Sequence, residues 1–392
     1  MTQRIVLLSA FLSPFRSGAE AAVEEVALRL KNRYDITIVT ARLRRTLPPD
    51  DHISPLSRQA SGQEGEGSGV RVVRVGIGHP IDKYLFPFLA PFAARRCKPQ
   101  IIHAVLESYA GLALVCCRWL VPRARRILTC QSTNTTLLLG LMHRSAHTIT
   151  VISRVLQRRA MQFGTQATLI PNGIDRIAIE RACLGHPKVP GRILFVGRLE
   201  TMKGVDVLLR AFRMLVRDEV TMTKDMSHEL RVVSDEDARC KTQDARLSLR
   251  IVGDGSQWEM LEKLAVDLGI RDRVTFVGWV KVPNVYDEYA QAEIFCGLSR
   301  SEALGNVFLE AQAAGCAVIG TTVGGIPDSV ESGVTGLLIP PDDADAAAEA
   351  MRRLLEDPAK RRRLAEAGKA HAAGYDWDQI AERYGMMYGA CV

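Results

Sequence analysis

Arg192-Ile193-Leu194-Phe195-Val196-Gly197-Arg198-Leu199-Glu200-Thr201-Met202-Lys203-Gly204, near the middle of the 392-residue chain, is the stretch whose reading decides the fold. Arg192–Val196 reads as a short buried strand, and Val205–Val216 carries apolar residues at helical spacing. Between them lies a loop with two cations and flexible glycines. A strand that runs through such a loop into a helix is half of a βαβ crossover, so the sheet it belongs to is parallel. Arg198 and Lys203 sit near the start of the helix, where positive charge and backbone N–H groups suit a diphosphate. A solvated strand-to-helix connection is the alternative for this segment taken alone.

The same alternation continues on both sides. Toward the C-terminus, Leu249–Val252 is a strand and Gln257–Leu268 a helix. Val274–Val277, Ile294–Cys296, Val318–Gly320 and Gly336–Ile339 are short strands, and Trp377–Tyr388 is an amphipathic helix. Asp218–Arg246 is charged and aperiodic and is expected to be a surface insertion. Toward the N-terminus, Arg4–Ser9, Ile36–Thr40, Val70–Val75, Ile101–Val105, Arg126–Cys130 and Thr148–Ile152 are expected strands. Ser17 and Glu20 form a capping box for a first helix whose apolar stripe is Val23, Val26, Ala27 and Leu30. Ser57–Gly69 reads as a polar loop. The turn Pro171-Asn172-Gly173 precedes the boundary, placing one domain at 1–178 and a second at 179–376.

Ser299–Gly315, SRSEALGNVFLEAQAAG, holds two carboxylates eight residues apart. On one continuous helix Glu302 and Glu310 would be separated by about 12 Å along the axis. Gly305-Asn306 allows another geometry, with Asn306 as N-cap, Val307 to Ala314 helical and Glu302 folded back on a loop. Both carboxylates then flank a helix N-terminus, where one can accept ribose hydroxyls and the other hexose hydroxyls. A capped surface helix with an incidental Glu is the plainer reading. Gly18 opens the first helix and could meet a phosphate from the other domain. Gly253-Asp254-Gly255 and Gly324-Gly325-Ile326-Pro327 follow strands and fall at the same sheet edge, where ligands of such sheets bind. His103 ends an apolar strand and is read as a satisfied core residue.

Taken together, Pro171-Asn172-Gly173-Ile174-Asp175, Val196-Gly197-Arg198-Leu199-Glu200 with Lys203-Gly204, Val252-Gly253-Asp254-Gly255, Glu302-x7-Glu310 and Gly324-Gly325-Ile326-Pro327 resemble the retaining family 4 (group 1) glycosyltransferases. The resemblance implies a GT-B fold, α/β, with two facing Rossmann-like domains of parallel strands and a helix at 377–392 crossing back to the first domain. It implies that Arg198 and Lys203 hold a donor diphosphate, Glu310 the ribose and Glu302 the sugar near the reacting centre. Gly253 and the backbone from Gly305 through Asn306 to Val307 complete the donor site, with Gly18 facing the diphosphate. Where the family commonly has a His, this chain has Gln131, which can hydrogen-bond but cannot accept a proton near neutral pH. The implied chemistry is retaining transfer of a hexosyl unit from a UDP- or GDP-sugar to a glycan or lipid-linked acceptor hydroxyl. It needs no cofactor and no metal, since Asp343-Ala344-Asp345 falls after the last strand and reads as surface. Cell-envelope polysaccharide biosynthesis is the setting it implies.

Composition narrows the classes further. Residues 1–175 carry 23 Lys and Arg against 11 Asp and Glu, whereas 176–392 carry 28 against 33. The basic half suits a phosphorylated acceptor or an anionic membrane surface, and solvated surface is the alternative. Tyr84-Leu85-Phe86-Pro87-Phe88 with Phe92, Arg95 and Arg96 fits a membrane-facing segment or a buried helix with a basic end. No run of 18 residues lacks charge, and the N-terminal apolar run lacks a small-residue cleavage site, so neither a span nor a signal peptide is expected. Nine cysteines, odd in number and without a C-x-x-C, suggest reduced thiols. A cytoplasmic location, peripheral on the inner membrane face, follows. No nucleic-acid recognition motif occurs. A sugar-nucleotide epimerase and an inactive sugar-nucleotide-binding protein are the rival readings.

Overall fold

The computed structural model describes residues 2–12, 18–53, 70–229 and 247–391, the side chains of 19 and 219–229 excepted. The capping residue Ser17 and the loop Ser57–Gly69 lie outside these residues. The chain divides into two compact α/β units, one running to Gly173 and resuming at Tyr375, the other from Ile174 to Gly374. The division thus falls directly after the Pro171-Asn172-Gly173 turn, a few residues before the expected boundary at 178, which lies within the helix that follows.

The first unit is an eight-stranded sheet. Its strands are β1 (Arg4–Leu8), β2 (Asp35–Ala41), β3 (Asp50–Ile53), β4 (Val70–Val75), β5 (Ile101–Val105), β6 (Arg125–Cys130), β7 (Thr148–Val151) and β8 (Ala167–Leu169). They are ordered β3-β4-β2-β1-β5-β6-β7-β8, and every pairing is parallel except β3 with β4. The helices are α1 (Gly18–Leu30), α2 (Asp82–Arg96), α3 (Tyr109–Leu120), α4 (Leu139–Ser145) and α5 (Arg154–Gln162). Ile5 to Leu8 is fully apolar and buried throughout, and Ile101 to Ala104 is buried as well with His103 as its one polar side chain, as strands covered on both faces must be. The stripe Val23, Val26, Ala27 and Leu30 packs α1 onto this sheet.

The second unit begins with α6 (Arg176–Gly185). Its six strands are β9 (Arg192–Val196), β10 (Ser248–Val252), β11 (Val274–Gly278), β12 (Ile294–Gly297), β13 (Ala317–Thr321) and β14 (Leu337–Ile339). They lie in the order β11-β10-β9-β12-β13-β14, all parallel. The helices are α7 (Val205–Glu229), α8 (Trp258–Asp267), α9 (Val285–Gln291), α10 (Asn306–Ala313), α11 (Ile326–Ser329), α12 (Ala344–Glu356) and α13 (Pro358–Ala372). Asp343 accepts the Ala346 N–H at 2.8 Å and so caps α12, which gives this aspartate a structural role.

Two strands escaped the sequence reading and one helix was read short. β3 and β8 were not legible, because one is an acidic four-residue edge strand and the other has only three residues. The helix expected to end at Val216 continues to Glu229, so the first part of the expected insertion is helical. No Gly or Pro interrupts Val205–Glu229, and its Met, Lys, Glu and Arg content favours helix even where the apolar stripe ends. Residues 230–246 lie outside the described residues.

The last helix, α14 (Trp377–Gly389), returns to the first unit and packs on α1. Trp377, Ile380, Tyr384 and Tyr388 face the core, and the Tyr34 hydroxyl donates to the Gly385 carbonyl at 2.8 Å. His103 on β5 is buried between the Tyr388 hydroxyl (Nδ1, 2.6 Å) and Thr129 Oγ1 (Nε2, 2.6 Å). Burial lowers its pKa to about 3, so it is a neutral core histidine that ties the terminal helix to the sheet. Tyr388→Phe leaves one ring nitrogen of His103 without a partner. It is expected to cost about 1–3 kcal/mol, read as a lower melting midpoint of the full chain; an unchanged midpoint would show that the bond adds nothing.

Candidate functional site

Because the strands of the second unit are parallel, the loops after β9, β10, β12 and β13 all leave at one edge. Arg198 lies on the loop after β9 and is exposed, and Lys203 closes the 3-10 turn Thr201–Lys203 that leads into α7. The Leu199 N–H donates to the Asp254 carbonyl (2.9 Å), and the Ser256 hydroxyl donates to Glu200 Oε2 (2.8 Å), so the loops after β9 and β10 act as one layer. Gly253 is buried inside this layer. A Cβ there would stand 1.8 Å from the Gly197 carbonyl oxygen, so the residue serves loop-to-loop packing.

The loop after β12 carries Glu302. Its backbone is held from three sides. Thr321 Oγ1 donates to the Ser299 carbonyl (2.6 Å), the Gly325 N–H to the Glu302 carbonyl (3.0 Å) and the Ser329 hydroxyl to the Leu304 carbonyl (2.8 Å). Gly324 touches the same loop backbone, since its Cβ would meet the Glu302 carbonyl oxygen at 2.0 Å. The Glu302 carboxylate pairs with Lys203 at 2.5 Å, both side chains half-buried.

The chain then turns into α10 at Gly305, whose φ of 86° lies in the left-handed region. Asn306, expected as N-cap, is instead the first residue of the helix. The sharp reversal needs a glycine, and a Cβ at 305 would clash with the Phe308 ring at 2.6 Å. Among the described residues no side chain caps α10, which leaves the Asn306–Val307 end open for an anion. Glu302 folds back as expected, its Cγ lying 3.2 Å from where the Gly305 Cβ would be. Glu310 follows one turn into the helix, accepting the Tyr289 hydroxyl at 2.8 Å. Burial raises the Glu310 carboxyl to about 7, opposed in part by that hydrogen bond.

Arg198, Lys203, Gly253, Glu302, Gly305, Asn306, Val307 and Glu310 therefore share one sheet edge. Two supports were missed in the sequence. Arg300 forms a bidentate pair with Asp206 (2.9 and 2.8 Å), binds Asp342 (2.6 Å) and donates to the Thr201 carbonyl, clamping the Lys203 turn to the Glu302 loop. Tyr289 on α9 orients Glu310. Both act through partners distant in sequence; the Ser-Arg-Ser-Glu run was the available signal for Arg300.

Gly18 and Gln131 belong to the first unit. Gly18 begins α1 and is exposed. Gln131 directly follows β6 and is buried, with its Oε1 accepting from Asn172 (3.1 Å) and its N–H donating to Glu107 Oε2 (2.8 Å). Glu107 also pairs with Arg159. Among the described residues the Gln131 Nε2 has no hydrogen-bond partner.

Two family models cover most of the chain. Glycosyl transferases group 1 matches residues 177–371 and Glycosyltransferase Family 4 matches 16–176. The chain belongs to the group 1 glycosyltransferases. It is 32% identical over 217 residues to D-inositol 3-phosphate glycosyltransferase 1 of Catenulispora acidiphila, covering 54% of this chain and 47% of that protein. A D-inositol 3-phosphate glycosyltransferase of Streptomyces avermitilis is 34% identical over 223 residues, covering 56% and 44%. The chain thus spans about half the length of these curated relatives. Among solved structures, sucrose-phosphate synthase from Thermosynechococcus elongatus superposes with a TM-score of 0.76 at 22% identity, covering 99% of this chain and 98% of that one. Anabaena HepE, solved with UDP and glucose, gives 0.72 at 18% identity over 99% and 100%. The fold is GT-B.

The Glu310 environment carries a pH signature. Unfolded, the carboxyl ionises near its ordinary 4.5; folded, it keeps its proton to about 7. Between these values the native state binds more protons, so the ligand-free protein loses stability as pH rises through the window. Relative to Glu310→Gln, the wild type is expected to lose on the order of 3 kcal/mol from pH 4.5 to 8, followed as melting midpoints. Parallel pH curves would refute the raised carboxyl.

Proposed function

We propose that the chain is a retaining hexosyltransferase that uses a UDP- or GDP-sugar and needs no metal ion. The observation that carries this reading is the grouping of Arg198, the Lys203–Glu302 pair, the uncapped start of α10 and Glu310 on one sheet edge. Such a surface answers a sugar nucleotide piece by piece. The cations and helix N–H groups suit the diphosphate, Glu310 two ribose hydroxyls and Glu302 the hexose. With Lys203 beside it, Glu302 does not confront the diphosphate as an uncompensated negative charge.

In the reaction the donor C1–O bond to the β-phosphate breaks, and the acceptor oxygen bonds to C1 on the same face. The acceptor proton passes to the departing phosphate oxygen. Arg198, Lys203 and the helix start stabilise the charge gathering there, the task a divalent cation performs elsewhere. No protein base is required, so Gln131, which cannot accept a proton near neutral pH, does not stand against this reading. The UDP bound in HepE favours a uridine donor. The acceptor is a hydroxyl of a glycan, a lipid-linked molecule or, as the names of the curated relatives suggest, a phosphorylated inositol. The eight described cysteines are all unpaired, in keeping with a cytoplasmic enzyme, and a glycan or lipid acceptor would place it in cell-envelope assembly.

Binding and slow hydrolysis measured across UDP- and GDP-sugars test the reading. One donor is expected to bind and turn over with EDTA present, and Arg198→Ala or Glu310→Ala to weaken it by about tenfold or more, the loss of one charge-assisted contact. Binding without turnover in the presence of acceptor extracts would favour the inactive binding protein. Strict metal dependence would overturn the charge assignment, and no binding at all would overturn the site.

A further inference from the structure

Helix α2 exposes an unusual face. Ile81, Tyr84, Leu85, Phe88 and Phe92 recur at helical spacing and are 47%, 57%, 38%, 64% and 55% exposed, and Ile77 just before the helix is 65% exposed. The opposite face, with Phe86, Ala90 and Ala94, is fully buried, so the helix is already anchored and its outer stripe is not needed for folding. Single exposed apolar residues are ordinary, but a contiguous stripe of aromatic and aliphatic side chains is not. Arg95 and Arg96 are exposed at its end.

Beside the start of α2 lies a cavity of about 540 Å³, lined by Arg44, Arg45 and Lys83 together with Phe11, Leu43 and Pro80. It is a built feature. Arg42 donates to the Leu47 and Arg45 carbonyls (2.8 and 3.0 Å), which fixes the loop carrying the two arginines. At the start of α2 the fully buried Asp82 accepts the Gly78 and His79 N–H groups (2.7 and 3.1 Å) and fixes the turn into the helix. Lys83 stands over the Tyr84 ring, 5.0 Å from its centroid, joining pocket and stripe.

We propose that this face docks on an anionic phospholipid surface, the α2 stripe and the largely apolar cavity beside it entering the headgroup boundary while Arg45, Lys83, Arg95 and Arg96 meet lipid phosphates. An apolar helical face rimmed by cations is the chemistry such a surface selects, and the excess of positive charge in residues 1–175 adds long-range attraction. The inference is independent of the donor site in the second unit.

The test is co-sedimentation of the full chain with vesicles of phosphatidylcholine alone or with phosphatidylglycerol added, at low and high salt. Three variants are compared with wild type: Phe88→Glu with Phe92→Glu, Arg45→Glu with Lys83→Glu, and the four combined. Melting curves check that each still folds, and UDP binding is read in the same samples. Wild type is expected to bind only the anionic vesicles and to be released by salt. Each pair of changes should weaken binding about tenfold or more, at roughly 1 kcal/mol per cation near the surface, while UDP binding stays at the wild-type level. No binding at low salt, equal binding to both vesicles, or binding retained by the combined variant overturns the proposal. Inositol phosphate binding in the pocket without vesicle binding would overturn it in favour of a soluble ligand. Self-association abolished by the phenylalanine changes, without vesicle binding, would overturn it in favour of a second copy. If wild type binds vesicles but no nucleotide, it is the donor reading that fails.

Discussion

Parallel pairing is the constraint on which both units depend. Two adjacent parallel strands cannot be joined by a tight turn, so each must return through a crossover. Every strand-to-helix loop of a unit then emerges at the same edge of its sheet. In the second unit this gathers segments that begin at Gly197, Gly253, Leu298 and Thr322 into one polar surface. No single segment carries the site. The pair Lys203–Glu302 joins residues 99 apart in the chain, and Arg300 binds Asp206 across 94 positions.

Crowding loops at an edge has its own cost, since backbones must touch. Gly253 lies under the Gly197 carbonyl and Gly324 against that of Glu302, at distances no Cβ permits. These contacts set the height of the Glu302 loop, and the reversal at Gly305 then aims the first turn of α10 at the space beneath it. Burial of Glu310 behind that turn raises its carboxyl, with Tyr289 holding it in place. The acid is thus oriented before any ligand arrives, which reduces what a donor must spend on ordering it.

The first unit applies the same topology differently. Its edge places Gln131 against Glu107 and Asn172 in one buried polar cluster. Helix α2 turns apolar side chains outward beside a cavity that Arg44, Arg45 and Lys83 help to line. Among the described residues no helix is long and apolar enough to cross a membrane, so such a surface can lie on a bilayer without entering it as a span.

The amino-acid order by itself determined the alternation of strands and helices, since buried parallel strands are short, largely apolar runs rich in β-branched residues that need no partner to be recognised. Val70–Val75, Ile101–Val105 and Arg192–Val196 were legible to the residue. It also named the residues now found along one edge, because glycines, cations and carboxylates at strand ends are local signals. Only the tertiary structure decided how they are held. β3 became a strand through its partner β4, Asn306 lost the cap position to the backbone reversal at Gly305, and Arg300 and Tyr289 gained their roles from groups far along the chain. Sequence patterns report what a residue prefers next to its neighbours; clamps, orphaned amides and exposed stripes exist only once the chain has closed on itself.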